Sequence, residues 1–388
     1  MAEELDVHSG DTWFATVRII SVLGSAINLL GLYILLRYSP KEMREYSLVL
    51  INLQVIAILG DHIAADAATA FMLLPATAGI SLGWLSLIGV RSEVQGVYVG
   101  GLMGQIQGAT VCLFLARFQF ILPQGHYFKL TTRARYASYV ALNVFPYLHM
   151  NLMFLFGRDQ NVAGTKAYYL RLYPEFRQFI ELDIFYGVPE GRVFLLMANL
   201  SAFVVSMFAL GSALSFGCIS SLRQQEKVLE TRLVNSQRRL VKALMIQVAI
   251  PAITLALPTL FGVLSVFSGT TAYSRYNPIL LLFYSQHGFA NTIAVLTLYK
   301  PYREGLKSTL QDAAQRKTHN AVIKPPHFYR RFHDSSVIFP LASAILYSLL
   351  LNCTLVSLAN ESKVELKLGF DKTFDKGSLA QRQQMMIS

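Results

Sequence analysis

The 388-residue chain is 53% hydrophobic against 15% charged, with a formal net charge of +11. So apolar a composition excludes an ordinary soluble surface and makes the bilayer the expected solvent, while Lys and Arg gathered in short clusters between apolar runs argue against a nucleic-acid-binding face. Cys112, Cys218 and Cys353 each lie inside an apolar run, which points to small core residues and to neither a disulfide framework nor a zinc site.

Residues 1–18, read as an extracellular N-terminus, begin MAEELDVHSGD, acidic where a secretory signal is basic. No cleavable signal is expected, and the first apolar run is read as an uncleaved anchor. A helix crossing about 30 Å of hydrocarbon needs about 20 mostly apolar residues. Seven runs before residue 300 meet that demand: Ile19 to Leu36, Ser47 to Leu74, Val94 to Leu122, Tyr136 to Phe156, Val193 to Ile219, Ala243 to Phe267 and Pro278 to Tyr299. The stretch Leu73 to Val90 is also apolar and leaves two readings open: a re-entrant or extended outer segment, or an extra crossing that would invert everything downstream.

Charge favours seven crossings with the N-terminus outside. The inner loops then carry Arg37, Lys41 and Arg44, then Lys129, Arg133 and Arg135, then Arg223, Lys227, Arg232, Arg238, Arg239 and Lys242, whereas the loop before the seventh run offers only Arg275. The loop from Gly157 to Arg192, with five basic residues, is a tolerated violation of the rule. After the bundle, 19–299, comes a cytoplasmic tail over 300–336, in which Leu306 and Leu310 stand at helical spacing among charges, as in a short amphipathic helix on the inner leaflet. Residues 337–358 are uncharged and long enough to span, with a monotopic segment as the alternative, and 359–388 form a polar tail. The fold class expected is an all-α membrane protein, a seven-transmembrane helix bundle with a candidate eighth C-terminal hydrophobic helix.

Neither a Gly-rich phosphate loop nor HExxH or GxSxG occurs, so no enzyme, cofactor or metal is indicated. Polar groups inside the runs say more, because an ionisable side chain in hydrocarbon must face the bundle interior or a wet cavity. Asp61 lies about 21 Å from the inner end of the second run and His287 about 18 Å from that of the seventh, at 1.5 Å per residue. One reading makes Asp61, His287 and Asn291 a polar switch below a ligand pocket; the other makes them satisfied packing groups. Above that level His62, Asp66, Gln105, Gln107, His149 and Asn151 are candidate ligand-binding residues, against the commoner use of such groups in interhelical hydrogen bonds. Pro251 and Pro258 in MIQVAIPAITLALP are candidate pivots, or simply the prolines that membrane helices tolerate. Arg117, in LFLARFQF, either snorkels to headgroups or caps an interhelical switch.

Several stretches together resemble the nematode serpentine receptors, class H: LVLINLQVIAILGD in the second run, ALMIQVAIP with a further proline seven on in the sixth, and HG followed by a Thr-rich helix ending in KPYR. The Asn52 to Asp61 spacing and the DQ-x(3)-G…YPEF pattern from Asp159 to Phe176 are similar as well, and the resemblance runs from about Trp13 to Leu310. It implies a G-protein-coupled chemoreceptor of sensory neurons that binds a small environmental molecule and couples to a heterotrimeric G protein. The expected location is the plasma membrane, multi-pass, including the sensory cilium. The resemblance supports Arg117 as the inner arginine of the third helix, Pro251 as the sixth-helix proline, and Lys300, Pro301, Tyr302 and Arg303 as the junction to the inner helix. With Arg238, Arg239 and Lys242 of the third inner loop, Arg117, Tyr302 and Arg303 form the expected G-protein-facing set. The chain departs from the family's pattern at Leu115 and Ala116, where Glu-Asn is common, and the second outer loop has no cysteine. A membrane transporter or ligand-gated channel is the alternative, though no internal repeat of the transporter kind is present.

Overall fold

The computed structural model describes residues 7–158, 161–225, 241, 243 and 245–318. The chain divides into two compact units, Val17–Val322 and a second made of Met1–Thr16 with Ile323–Ser388. Of the second only the start of the helix Val7–Tyr38 is described. The expected hydrophobic segment 337–358 and the tail 359–388 lie outside the described residues, as do Arg238, Arg239 and Lys242.

Among the described residues six helices are long and apolar enough to cross a membrane: Ile19–Tyr38, Arg44–Ala68, Ser92–Ile121, Thr132–Phe156, Glu190–Gln224 and Met245–Ser268. The seventh apolar run is helical in two pieces, Asn277–Ser285 and His287–Leu298, interrupted at Gln286. Together they make a seven-helix bundle, whose spans are numbered here in chain order. The third span is central, with 78% of its most apolar stretch buried against 22% for the fifth. Small residues let the fourth span come close to it. A Cβ at Gly104 would fall 2.6 Å from the carbonyl oxygen of Pro146 in the fourth span, so the two backbones meet where only glycine fits.

The second run ends earlier than its hydropathy suggests. After Arg44–His62 the helix widens into a π-helical turn, Ile63–Ala68, and Thr69 takes a left-handed conformation with φ 43° that stops it. The chain then forms β1 (Ala70–Met72) and β2 (Ala78–Ser81), and the long loop between the fourth and fifth spans supplies β3 (Phe185–Gly187). All three pair antiparallel in the order β1-β2-β3, with Phe71 opposite Ile80 and Gly79 opposite Tyr186. The segment Leu73 to Val90 is therefore no crossing. Leu73, Ala76, Ile80, Tyr169, Phe176 and Phe185 close a small core between the sheet, the loop helix Val162–Leu172 and the turn that follows it. Leu73 to Leu82 is apolar because it builds this core, whereas Trp84, Leu87 and Ile88 beyond it are exposed.

Tyr169 is the fastener of the cap. Its hydroxyl stands 2.7 Å from Thr77 Oγ1 and donates to the Val188 carbonyl at 2.8 Å, tying the loop helix to both connections of the sheet. At the opposite end of the bundle Tyr299 is extended (ψ 117°), and a new helix, Lys300–Thr318, starts with Pro301 in its first turn, where the missing N–H costs nothing.

Tyr169→Phe is expected to destabilise the cap by about 1–3 kcal/mol, the cost of leaving buried partners unpaired. Hydrogen exchange of the β1–β3 amides checks it: exchange should accelerate at least about fivefold there, with Tyr168→Phe as the control.

Candidate functional site

Three interruptions in the helices meet inside the bundle. In the sixth span Pro258 can give no N–H to the carbonyl one turn back and its ring crowds that turn, and the helix accommodates this by a π-helical segment, Ala252–Ala256, immediately after Pro251. In the seventh the break at Gln286 leaves the first N–H groups of His287–Leu298 without partners in their own helix. In the second, the π turn Ile63–Ala68 follows Asp61 directly.

Asp61 answers the break in the seventh span. Its Oδ1 accepts the Gly288 N–H at 3.3 Å, and its Oδ2 accepts from Asn28 Nδ2 of the first span at 3.1 Å. A carboxyl group at the start of a half-helix meets both the open N–H groups and the positive end of the helix dipole. Glycine is needed at 288, since a Cβ there would lie 3.0 Å from Asp61 Cγ. One turn on, Thr292 Oγ1 sits 2.6 Å from Asn28 Oδ1 and accepts from Gln54 Nε2 at 2.6 Å. First, second and seventh spans are thus held by one buried chain of polar side chains.

His287 turns the other way. Its Nδ1 is 2.9 Å from Thr254 Oγ1, in the π segment of the sixth span, while Thr254 donates to the Ile250 carbonyl at 2.8 Å. Asp61 and His287 therefore bond to different neighbours on either side of the break instead of to each other, and Asn291, also buried, lies one turn beyond His287. Pro251 and Pro258 bracket the segment that His287 contacts.

A cavity of about 120 Å³ lies between the sheet and these breaks. Thr77 and Tyr186 of the cap line it, with Met153 and Leu200 of the fourth and fifth spans and Pro258, Thr259 and Tyr284 of the sixth and seventh. Tyr284 donates to Thr259 Oγ1 at 2.8 Å, joining the sixth and seventh spans at the cavity wall.

None of the six residues expected to bind ligand lines this cavity. His62 and Asp66 face the first span, with His62 Nδ1 2.9 Å from Asp66 Oδ2 and Nε2 3.2 Å from Ser25 Oγ. The order of contacts is that of a Ser-His-Asp triad, but Ser25 already donates to the Ser21 carbonyl at 2.8 Å, and the surrounding N–H groups belong to a continuous helix that offers no oxyanion donors. His149 stands outside the bundle core, stacked 5.1 Å from Phe203 and bonded to Asn199 at 2.9 Å. Gln105 and Asn151 are buried where the third and fourth spans pack, and Gln107 lines a smaller space beside Pro251. Polarity within an apolar run marks an inward face, but not which of several inward contacts a side chain makes.

The opposite end closes on tyrosines. Tyr46 and Tyr299 hydroxyls are 2.6 Å apart, Tyr299 donates to Gln247 Oε1 at 2.8 Å, and Tyr302 lies 3.1 Å from Ser39 Oγ and 3.3 Å from Ser47 Oγ. Arg117 is buried with its guanidinium carbon 4.4 Å from the Tyr46 ring centre, a cation–π contact in which Nε and Nη2 find no hydrogen-bond acceptor among the described residues. Arg117 and Tyr302, expected on a partner-facing surface, are thus enclosed within the bundle, because the Lys-Pro-Tyr-Arg junction folds its tyrosine inward and leaves Arg303 exposed. Asn28, Gln54, Thr254 and Thr292 are not among the residues expected from the sequence; Asn28 and Gln54, each an amide inside an apolar run, carried the available signal, whereas hydroxyls such as Thr254 and Thr292 are common in membrane helices and carry none.

A seven-span bundle with buried polar links across broken helices, a capped cavity at one end and an enclosed arginine at the other defines a multi-pass membrane protein of the receptor type. The sequence model of the serpentine type 7TM GPCR chemoreceptor Srh family matches residues 8–312, and the chain belongs to that family, a family of receptors. It is 22% identical over 300 residues to serpentine receptor class H-72 of Caenorhabditis elegans, covering 75% of this chain and 83% of that one.

Thr292→Val should lower the thermal midpoint of the full-length protein in lipid nanodiscs, at a cost of about 1–3 kcal/mol for the orphaned Asn28 and Gln54 groups. Thr297→Val, whose hydroxyl reaches only carbonyls of its own helix, should leave the midpoint within about a degree, as surface changes of under 0.5 kcal/mol do.

Proposed function

We propose that the protein is a G-protein-coupled chemosensory receptor that binds a small environmental molecule in the cavity beneath the sheet and signals by rearranging the sixth and seventh spans. The observation that carries this reading is the Thr254–His287 contact of 2.9 Å, which joins the π turn of one span to the break of the other. Pro258 and Thr259, a turn above it on the sixth span, line the cavity, so an occupant touches the sixth span one turn from this joint. Bistability requires only that the occupied cavity favour one packing of these two spans over the other.

In this reading Asp61, His287, Asn291, Pro251 and Pro258 form the switch, and the ligand site moves from His62, Asp66, Gln105, Gln107, His149 and Asn151 to the cavity. The sheet end faces outward and the tyrosine end faces a heterotrimeric G protein, with Arg303, Arg238, Arg239 and Lys242 on the contact surface and Arg117 uncovered when the tyrosine cluster opens. The basic loops support this orientation, and membership of the chemoreceptor family supports a place in the plasma membrane, the sensory cilium included. Broken helices also serve transporters, but here the break is filled by Asp61 and His287 instead of lining an open path.

Two measurements test the proposal. Tags at the N-terminus and in the segment 226–240 should be accessible on intact and only on permeabilised cells, respectively; the reverse arrangement rules out coupling through that loop. Thr254→Val should change basal GTPγS loading of co-expressed Gα by about fivefold or more, as a population shift of about 1 kcal/mol implies, at unchanged surface expression. Wild-type loading in that variant would remove the contact from the switch.

A further inference from the structure

The chemistry of the cavity wall narrows what it holds, given that the cavity is the ligand site. At about 120 Å³ it is close to the size of the apolar protein cavity of about 150 Å³ that accommodates benzene, so its occupant has on the order of six or seven non-hydrogen atoms. The walls are mainly aliphatic, thioether and aromatic. Two charged side chains reach the lining with opposite signs, Glu93 and Arg158, and Glu93 is already paired with Arg91 at 3.4 Å. No single sign of charge is presented, and in a mainly apolar space an entering ion would surrender most of its hydration.

Hydroxyl hydrogens decide the rest. Thr259 donates to the Leu255 carbonyl at 2.7 Å, Tyr284 donates to Thr259, and Thr77 spends its hydrogen on Tyr169, whose own goes to Val188. Tyr186 alone among the described lining hydroxyls makes no hydrogen bond to any described residue. Its ring lies across Gly79, its partner in the sheet, where a Cβ would fall 2.9 Å from the Tyr186 hydroxyl oxygen. Burial pushes the phenol up to about 12, so the group stays a donor at any physiological pH.

We propose that the cavity takes a neutral, apolar molecule of about benzene size carrying a single hydrogen-bond acceptor, such as a ketone, aldehyde or ester oxygen, and that Tyr186 is the residue that orients it. The oxygen accepts from the Tyr186 hydroxyl under the sheet, and the hydrocarbon body points toward Pro258 and Thr259. Specificity follows from mismatch: a molecule without an acceptor leaves the phenol unpaired, and a charged one must be desolvated.

The test is saturation-transfer NMR on the full-length protein in lipid nanodiscs, with empty nanodiscs subtracted, using cyclohexanone, cyclohexane, cyclohexylamine and cyclohexanecarboxylate as probes. Cyclohexanone is expected to bind about tenfold more tightly than cyclohexane, the worth of one hydrogen bond to an otherwise unpaired donor. Tyr186→Phe should remove that advantage and leave cyclohexane unchanged. Gly96→Leu and Gly262→Val, placed where a Cβ meets nothing within 4 Å and only Leu74 at 3.8 Å, should fill the space and abolish binding of both. Tighter binding of the amine or the carboxylate, or an unaltered ketone preference in Tyr186→Phe, overturns the proposal while leaving the cavity as the site. Binding that survives both filling variants, or no binding of any probe, overturns the cavity as the ligand site as well.

Discussion

Asp61 accepting the backbone N–H of Gly288 is the interaction on which the middle of the bundle depends. Hydrocarbon offers no hydrogen-bond partner, so a helix can break inside a membrane only where protein groups take over its unpaired backbone. The seventh span breaks at Gln286, and the second span supplies the carboxyl group that makes the break tolerable. Asn28, Thr292 and Gln54 then extend that single repair into a lock across three spans. The same break frees His287 to turn toward the sixth span, where Pro258 has forced a second irregularity.

Irregular backbone is thus concentrated on one side of the bundle, while the other side is regular. The third and fourth spans meet through glycines with no room for a side chain, a contact that tolerates little sliding. The sixth and seventh meet through hydroxyls and imidazole, Thr254 with His287 and Thr259 with Tyr284. A receptor needs both: a fixed frame against which movement is defined, and a joint whose alternative packings differ by only a few kcal/mol. The cavity wall joins the two regions, with Met153 on the fourth span and Thr259 and Tyr284 on the sixth and seventh.

The cap is a separate solution to a separate problem. With no cysteine in the loop of β3, the cover of the cavity is held by pairing with β2, by the small apolar core around Ile80 and Phe176, and by Tyr169. Leu73 to Val90 looked fit for a membrane because its apolar residues are real. Those from Leu73 to Leu82 find their partners in a loop about a hundred residues later, and no local pattern announces a pairing at that distance.

Much of the bundle was legible in the sequence. The seven apolar runs, their approximate bounds and the change of direction at Lys300-Pro301 follow from the length of helix that hydrocarbon demands and from what proline does to a backbone. The inward position of Asp61 and His287 was legible for the same reason, since neither side chain is stable against lipid. What the sequence by itself determined is therefore which residues must be helical and which must be hidden. Tertiary structure alone decided the partners: that Asp61 would bond Gly288 and Asn28 while His287 bonded Thr254, that Tyr302 would be enclosed and not exposed, and that Tyr186 would overhang the cavity. Burial is a property of a residue against its solvent and can be read one position at a time. A hydrogen bond belongs to two positions, and which two meet depends on helix rotation and depth, set by packing across the whole bundle.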